Sequence, residues 1–251
     1  MQSGFKELFI EKWVQYFPSA PLPITFYYTD QEENAVEMQP YKGGHCLISE
    51  LARVREGESL SFEGRAVGCM GGRHFLGFVQ HLRPDFRYFL SCGIPGKMEG
   101  ERYKATPELV DERLRDEPPF VAPAKKIVFK RWDKLAENDE PQVVIFFARP
   151  DVLSGLSVLA IFDEHGSNGV IMPFGSGCSS IVTLPLNELA NDHPNAILGM
   201  FDVSARPWVP QDELTLAIPF PKFVGMVGNM DESFLITESW RKVKSRIESI
   251  N

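Results

Sequence analysis

The sequence contains no run of eighteen or more apolar residues, which is about the shortest length that crosses a bilayer as a helix. A transmembrane helix is therefore not predicted. The first residues, MQSGFKELFIEKWVQYF, also lack the basic start, continuous apolar stretch and small-residue cleavage site of a secretory signal. We predict a cytoplasmic protein with no membrane partner.

Positive charge is scarce, since 26 lysines and arginines stand against 34 aspartates and glutamates, for a formal net charge of −8. A general binder of nucleic acid normally carries a basic surface. Nucleic acid is therefore not predicted as a partner. One basic stretch, AKKIVFKRWDK at 124–134, alternates charged with apolar residues, and we interpret it as a strand with one solvated face.

Cysteine is also sparse. The four cysteines are scattered, and neither Cys-x-x-Cys nor His-x-x-x-His occurs, so a disulfide scaffold and a local zinc finger are not expected. The hydrolase pattern Gly-x-Ser-x-Gly is absent, and the segment GCMGG lacks the ending of a phosphate-binding loop. Without a catalytic signature, the sequence leaves open whether the protein is an enzyme.

What is present is an ordinary globular composition, with 43% apolar and 24% charged residues. Strand and helix patterns alternate, most regularly in the C-terminal half. We predict an α+β fold with mixed α/β character in that half, in which a mixed sheet and flanking helices form a single compact domain over 1–251. The one candidate internal boundary is the proline-bearing stretch EPPFVAPAKK at 117–126.

The predicted elements follow from apolar periodicity and from capping residues. The predicted helix caps are Thr106 and either Thr237 or Ser239, and Gly57 is a predicted helix end. The predicted helices are 3–17, 44–57, 73–80, 106–116, 151–164, 177–184, 221–230 and 236–250, and the predicted strands are 59–67, 86–95, 143–148, 169–174, 196–202 and 215–220.

Cys178 has a suggestive environment in FGSGCSS, because two glycines precede it and a predicted helix follows. The free N–H groups and dipole of a helix start favour an anion and lower the pKa of a thiol. Cys178 is therefore a candidate catalytic thiolate. The residues predicted to bind an anion or cofactor beside it are Ser176, Gly177, Ser179, Arg206 and Arg73. The alternative interpretation makes Cys178 a packing residue and pairs Arg206 with Asp202 or Asp212.

A metal site is a second interpretation of the same cysteines. Cys46, Cys69 and Cys178 each lie beside a glycine-containing turn or a predicted helix start. Thiolates are the usual ligands of iron–sulfur centres. These three cysteines are therefore the candidate metal ligands, with an iron–sulfur cluster or another metal as the cofactor, whereas Cys92 is interpreted as structural.

Several motifs, taken in order, carry a resemblance to a known family. They are CLISELARVREGESLSF, GCMGGRHFLGF, SCGIPGKMEGERYK, PQVVIFFARPDVLSGL, FGSGCSSIV and ILGMFDVSARPWVPQDELTLAIPF. Together they resemble the bacterial and archaeal family called domain of unknown function 169, over nearly the whole chain. The resemblance implies no known activity. It implies that the cysteines at 46, 69 and 178 belong to the family pattern, while the segment ILGMFDVSAR lacks the further cysteines of some relatives.

Three hypotheses remain open at this point. The protein holds a metal or iron–sulfur centre through its glycine-flanked cysteines, or it binds a small anion or cofactor and uses Cys178 as a thiolate, or it is a non-catalytic interaction domain. The predicted partner is accordingly a small molecule or a metal centre, and no oligomeric state is predicted. Convergence of the three sulfurs would favour the first hypothesis, and one thiol among basic groups the second.

Overall fold

The computed structural model describes residues 4–40, 45–116 and 120–249. Within them, one eight-stranded sheet has the order β2-β3-β4-β1-β5-β8-β7-β6. Its inner pairs are antiparallel, and both edge pairs, β2 with β3 and β6 with β7, are parallel. The strands are β1 (Ile24–Thr29), β2 (Val36–Glu37), β3 (Leu60–Glu63), β4 (Lys126–Arg131), β5 (Val143–Ala148), β6 (Val170–Ile171), β7 (Ala196–Gly199) and β8 (Leu214–Pro219).

Helices cover both sides of this sheet, which confirms the predicted α+β class with a mixed sheet. A π-helical segment, Ser179–Thr183, runs directly into α7. The α-helices of the described residues are α1 (Phe5–Tyr16), α2 (Leu47–Arg55), α3 (Met70–Phe75), α4 (Phe86–Phe89), α5 (Pro107–Asp116), α6 (Pro150–Leu159), α7 (Leu184–Glu188), α8 (Phe220–Asn229) and α9 (Glu238–Glu248). No helix in these parts of the chain is long and apolar enough to cross a membrane.

The pleat of the strands divides the apolar core into two layers, because successive side chains point to opposite sides of a sheet. Ile145 packs in one layer and Phe146, the next residue, in the other. We call the first layer the cysteine face: it is covered by α2, α3 and the π-helical segment, and it contains Cys178. We call the second the aromatic face: it is covered by α1, α6, α8 and α9.

Two predicted helix caps are confirmed. The Thr237 hydroxyl accepts a hydrogen bond from the Trp240 N–H at the start of α9. The Thr106 hydroxyl accepts from the Leu109 N–H at the start of α5. Parts of some predicted elements lie outside the described residues, namely residue 3, residue 44, residues 117–119 of the candidate boundary and residue 250.

The predicted strand over 86–95 is wrong. The segment forms α4, and its chain then turns at Gly93, which has a φ of 75°. Aromatic residues favour strands in general, but Phe86, Phe89 and Leu90 have the i, i+3, i+4 spacing of one helical face. Tertiary packing uses that spacing, because all three side chains line the same cavity.

The solvated face predicted for 124–134 is also wrong, although the strand itself is confirmed as β4. Lys126 and Lys130 are both buried. β4 lies inside the sheet between β3 and β1, and each lysine is paired with carboxylates. Lys130 bonds Asp139 at 2.9 Å, and Lys126 bonds Glu32 and Glu37. A buried lysine needs such partners to offset its lost hydration.

Candidate functional site

A cavity of about 510 Å³ lies on the cysteine face. Three of the four cysteines line it, and Cys92 does not. Its volume falls within the range that is usual for sites that bind small molecules. Besides the three cysteines, the side chains that build it are mainly apolar and aromatic, and they include Ile48, Phe75, Phe86, Phe89, Leu90, Val110, Leu114, Phe174, Ala205 and Trp208.

Cys46 is the N-cap residue of α2 and is half-buried. Its backbone carbonyl accepts hydrogen bonds from the Ser49 N–H at 3.1 Å and from the Ser49 hydroxyl at 2.7 Å. The backbone N–H groups of Ile48 and Ser49 lie near its sulfur and favour the ionised form of the thiol. The predicted position of Cys46 near a helix start is therefore confirmed.

Cys69 is the N-cap residue of α3, and its sulfur accepts a hydrogen bond from the Gly72 N–H at 3.2 Å. The helix was predicted to begin at Arg73, after the GCMGG segment. It begins inside that segment instead, at Met70, because the Cys69 sulfur satisfies one of the free N–H groups of the first turn. The helix start was predicted too late because Gly71 and Gly72, which lie in its first turn, have low helix propensity.

Cys178 lies in the first turn of the helical segment that continues through Ser179–Thr183 into α7, and it is only 6% exposed. Wide π-helical turns occur often at functional sites. Here the wide turn is anchored at its far end, where the Thr183 hydroxyl donates to the Phe75 carbonyl of α3. The helices that carry Cys69 and Cys178 are thereby fixed to each other.

The glycines beside the cysteines explain how the three segments approach one another. A Cβ on Gly68 would lie 2.8 Å from the backbone oxygen of His45, so only glycine lets the Cys69 segment pack on the Cys46 segment. A Cβ on Gly177 would lie 2.9 Å from the Ala205 Cβ and 3.2 Å from Ile48 of α2. Both glycines are needed for close packing, and neither has a positive φ.

Gly72 is also close-packed, because a Cβ there would lie 2.9 Å from Val67 Cγ1, and its lack of a side chain leaves the space between two sulfurs open. A Cβ at this position would lie 3.0 Å from the Cys69 sulfur and 3.8 Å from the Cys178 sulfur. Both sulfurs therefore border one small volume. Cys46 belongs to the same group, because its ionised form would raise the pKa of the Cys178 thiol.

Burial and the neighbouring cysteines favour the protonated forms of the Cys178 and Cys46 thiols. Burial is the main cause that raises the pKa of Cys178 well above its ordinary value, and the neighbouring Cys69, Cys46 and Asp202 raise it further. Burial also raises the pKa of Cys46. This direction is opposite to the one that the helix start predicted for Cys178, because desolvation outweighs the helix N–H groups. By itself, the site does not favour a Cys178 thiolate.

Asp202 is a buried carboxylate on the cavity wall, at the end of the loop that follows β7. One of its oxygens accepts from the Gly177 N–H at 3.0 Å, and the other accepts from the Tyr103 hydroxyl at 2.9 Å and from the N–H and hydroxyl of Ser204. Asp202 thus occupies the helix start at which the sequence predicted a bound anion. Burial, the charge of Asp202 and the hydrogen bond to Asp202 together raise the pKa of Tyr103 to about 12.

The other predicted anion-binding residues are divided between the cavity and the scaffold. Ser176 and Gly177 line the cavity, and the Ser176 hydroxyl accepts from the Ser179 N–H at 3.1 Å. Ser179, Arg73 and Arg206 are not among the lining residues. The Arg206 guanidinium donates to the backbone carbonyls of residues 210, 211 and 213, and the Arg73 guanidinium donates to those of residues 65 and 67. Within the described residues, Arg206 does not make the alternative ion pair with Asp202 or Asp212.

Residues 17–229 match the family designated domain of unknown function 169 (DUF169), described as an uncharacterised ArCR family. The chain belongs to the DUF169 family. This confirms the resemblance carried by the motifs, and it assigns no reaction. No curated protein and no solved structure gave a significant match.

One wall of the cavity in this DUF169 chain was missed by the sequence reasoning. It is built by residues 83–114, and it brings α4, α5 and Tyr103 over the cysteines. The usable signal was the i, i+4 spacing of Val110 and Leu114, since both side chains face the cavity. On the opposite side of Tyr103, Phe174 packs against its ring at 5.3 Å.

No group of three or more His, Cys, Asp or Glu side chains within the described parts of the DUF169 chain is close enough to hold a single metal ion. The three sulfurs share a cavity and influence one another electrostatically. The nearest other metal-binding type, His45, lies beside Glu50 and Ser49.

Proposed function

We propose that Cys46, Cys69 and Cys178 hold an iron–sulfur cluster at the base of the cavity and that a small molecule binds beside it. The observation that carries the proposal is that three cysteines from separate segments line one cavity, in which Gly72 leaves open the space between the Cys69 and Cys178 sulfurs. Three protein thiolates leave a four-iron cluster with one position for a ligand that the protein does not supply.

The electrostatics of the site support a cationic occupant. Burial and the neighbouring cysteines disfavour the anionic forms of Cys46 and Cys178, so three thiolates are stable together only beside compensating positive charge. A metal centre supplies that charge and deprotonates its ligands outright. The Gly72 N–H that points at the Cys69 sulfur would remain as a donor that tunes the centre.

The spacing of the ligands favours a cluster over a single ion. Zinc binds sulfur at about 2.3 Å and usually takes four ligands in a tetrahedron, which requires its ligands to be in mutual contact. The described residues offer no such group. A cluster is several atoms wide and fits thiols that border a cavity without touching one another.

The surroundings support a small-molecule partner and a cytoplasmic location. The cavity is apolar and extends beyond the sulfurs between α4, α5 and Trp208. All four cysteines are free thiols, as a reducing compartment would keep them. The protein is thus proposed to act on, or to sense, a molecule that reaches the cluster through this cavity.

The test is anaerobic purification after iron-replete expression, followed by a visible absorption spectrum and by iron, zinc and sulfide analysis. We expect a broad visible band with stoichiometric iron and sulfide in the wild type. Cys46→Ser, Cys69→Ser and Cys178→Ser should each lose most of both. Cys92→Ser is the matched control, because Cys92 is exposed and lies outside the cavity, and it should keep them.

Two results would overturn the cluster. One is a colourless, metal-free wild type even after reconstitution with iron and sulfide. The other is one zinc ion per chain that disappears in the same three variants, which would replace the cluster by a single ion. Urea unfolding of each variant separates loss of ligand from loss of fold. A metal-free protein would favour the second hypothesis, in which the cavity binds a small anion or a cofactor.

A further inference from the structure

The charges around the cavity are unevenly distributed among its walls. The wall built by residues 83–114 contributes three cations to the lining, Arg83, Lys104 and Arg113, and one carboxylate, Glu101. The only other lining carboxylate, Asp202, is bonded by its own neighbours. Within the described lining, positive charge therefore exceeds negative charge, although the whole chain is acidic.

These cations differ in how they are held. Arg83 is paired with Asp85 at 3.0 Å and stacks on the Phe89 ring. The Arg113 guanidinium lies 5.7 Å from the centre of the Phe174 ring, at the cavity wall. Lys104 is half-buried, lines the cavity, and forms no ion pair within the described part of the chain. Its ammonium group is the cation that a ligand can reach.

The rest of the same wall is apolar. Phe86, Phe89, Leu90, Val110 and Leu114 are half-buried or buried, and all five line the cavity. Half-buried aromatic side chains around a cavity gain further burial when an apolar molecule fills it. A polar or highly charged ligand would lose hydration against this wall without compensation.

We propose that the cavity binds an amphipathic anion: a molecule with an aromatic or aliphatic body and one carboxylate-like group that pairs with Lys104. The apolar body packs against α4 and α5, and the anionic group lies at Lys104 with Arg113 nearby. The position of this ligand beside the cluster rests on the proposed function, whereas its binding to the cavity does not. The two ideas can therefore fail separately.

The chemistry of the cavity selects against the related ligand classes. A cation of the same shape would face Lys104 and Arg113 in a partly dehydrated space, where like charges repel more strongly than in water. A neutral molecule would gain the apolar contacts but not the ion pair. Binding should therefore rank the anion first, the neutral molecule second and the cation last.

Three probes of nearly equal shape test this ranking: 2-naphthoate, 2-naphthylmethanol and 2-naphthylmethylamine. Their affinities are measured by calorimetry on the full-length protein, both metal-free and after reconstitution. We expect 2-naphthoate to bind at least tenfold more tightly than the alcohol, and the amine to bind most weakly. Lys104→Met should remove the preference for the carboxylate and leave the affinity for the alcohol within about twofold.

Two further variants sharpen the assignment. Lys97→Met removes an exposed lysine that does not line the cavity, and it should leave all three affinities unchanged. Glu101→Gln removes the carboxylate of the same wall and should strengthen binding of 2-naphthoate. Both are surface or half-buried positions, so the fold of each variant is checked by urea unfolding.

The inference is overturned if the wild type binds none of the probes, if the three bind equally, or if Lys104→Met keeps the preference for the carboxylate. Metal-free protein that ranks the probes as expected would support the inference even where the iron analysis has overturned the cluster. Protein that contains iron and sulfide but binds without preference would overturn this inference alone.

Discussion

The two sides of the sheet are packed in different ways. On the aromatic face, Trp13 stacks on Phe17 at 4.5 Å and contacts Phe146 at 5.0 Å, and Phe9 and Phe223 complete the cluster with ring distances of 5.0 Å. On the cysteine face, short helices begin at cysteines and leave a cavity of about 510 Å³. The aromatic face is filled mainly by its own rings and has a smaller cavity of about 360 Å³ beside Trp13, Phe146 and Ile247. The cysteine face keeps the larger cavity, which the three cysteines line.

The difference follows from the residues that each side receives. The helices of the aromatic face, such as α1 and α9, are ten residues or longer and bury large rings that fill the space between them. The segments of the cysteine face approach through glycine, at Gly68 and Gly177, and bury small thiols. Because small residues allow close backbone contact but cannot fill volume, a cavity remains where their segments meet. We infer that the aromatic face supplies stability and the cysteine face supplies the site.

The largest expected effect tests this division of roles. Trp13→Ala should lower the free energy of unfolding by about 3–5 kcal/mol, since it removes a fully buried ring and its neighbours cannot close the gap. Phe89→Ala, on the half-buried cavity wall, should cost only about 1 kcal/mol. Urea unfolding measures both. Equal losses in the two variants would contradict the distinction between a filled and an open side.

Asp202→Asn should give the next largest effect. The change replaces a carboxylate oxygen by an amide NH₂ group, so one of the donors at Gly177, Ser204 or Tyr103 loses its acceptor. A buried donor without an acceptor costs about 1–3 kcal/mol of stability. We also expect a lower iron content, because Gly177 directly precedes Cys178.

Asp212→Asn is the control for that variant, because Asp212 is half exposed and pairs with Arg149 on the surface. Surface pairs contribute about 0–1 kcal/mol. Unfolding and iron analysis are measured for both variants. A loss as large in Asp212→Asn as in Asp202→Asn would show that the buried network has no special part in the site.

Substitutions at two adjacent glycines of α3 distinguish an effect on the site from an effect on the stability of the helix. Gly72→Ala would place a Cβ 3.0 Å from the Cys69 sulfur, whereas Gly71→Ala would place one where nothing lies within 4 Å. Alanine in place of a helical glycine stabilises a helix by about 1 kcal/mol. Gly71→Ala should therefore be neutral or slightly stabilising, and Gly72→Ala slightly destabilising.

The iron content of the same two variants should differ much more than their stability. We expect Gly72→Ala to lose most of its iron and sulfide while its unfolding midpoint changes little, and Gly71→Ala to keep both. Metal analysis and urea unfolding of the two proteins provide the comparison. Full iron content in Gly72→Ala would mean that the space between the two sulfurs is not where the centre lies.

Local patterns allowed much of the fold to be predicted. The regular alternation after residue 140 and the caps at Thr106 and Thr237 depend on neighbouring residues, and the structure confirms them. The segment at 86–95 was predicted wrongly because aromatic residues are common in strands, whereas the spacing of Phe86, Phe89 and Leu90 is that of one helical face. Only the cavity that its side chains line decides between the two.

The site itself was predictable only in part. Glycine beside cysteine drew attention to Cys69 and Cys178, and the structure brings both to one cavity with Cys46. The sequence could not show that Asp202 would occupy the helix start at Gly177, because that contact joins residues far apart in the chain. The residue pattern also could not decide whether Arg206 would bind a ligand, pair with a carboxylate or, as in the structure, donate to nearby backbone carbonyls.

The smallest expected effect concerns the stability of the metal-free protein at alkaline pH. Burial raises the pKa of Cys178 above its ordinary value of 9.0, so the unfolded chain ionises this thiol at a lower pH than the folded chain does. The stabilisation is complete below the pKa of the unfolded thiol and is lost as the pH rises from there through the folded pKa. Urea midpoints should therefore fall more between pH 8 and pH 10 in the wild type than in Cys178→Ala, whose side chain does not titrate. Identical slopes for the two proteins would mean that the thiol is not desolvated on the cysteine face, and the contrast between the two sides of the sheet would lose its electrostatic part.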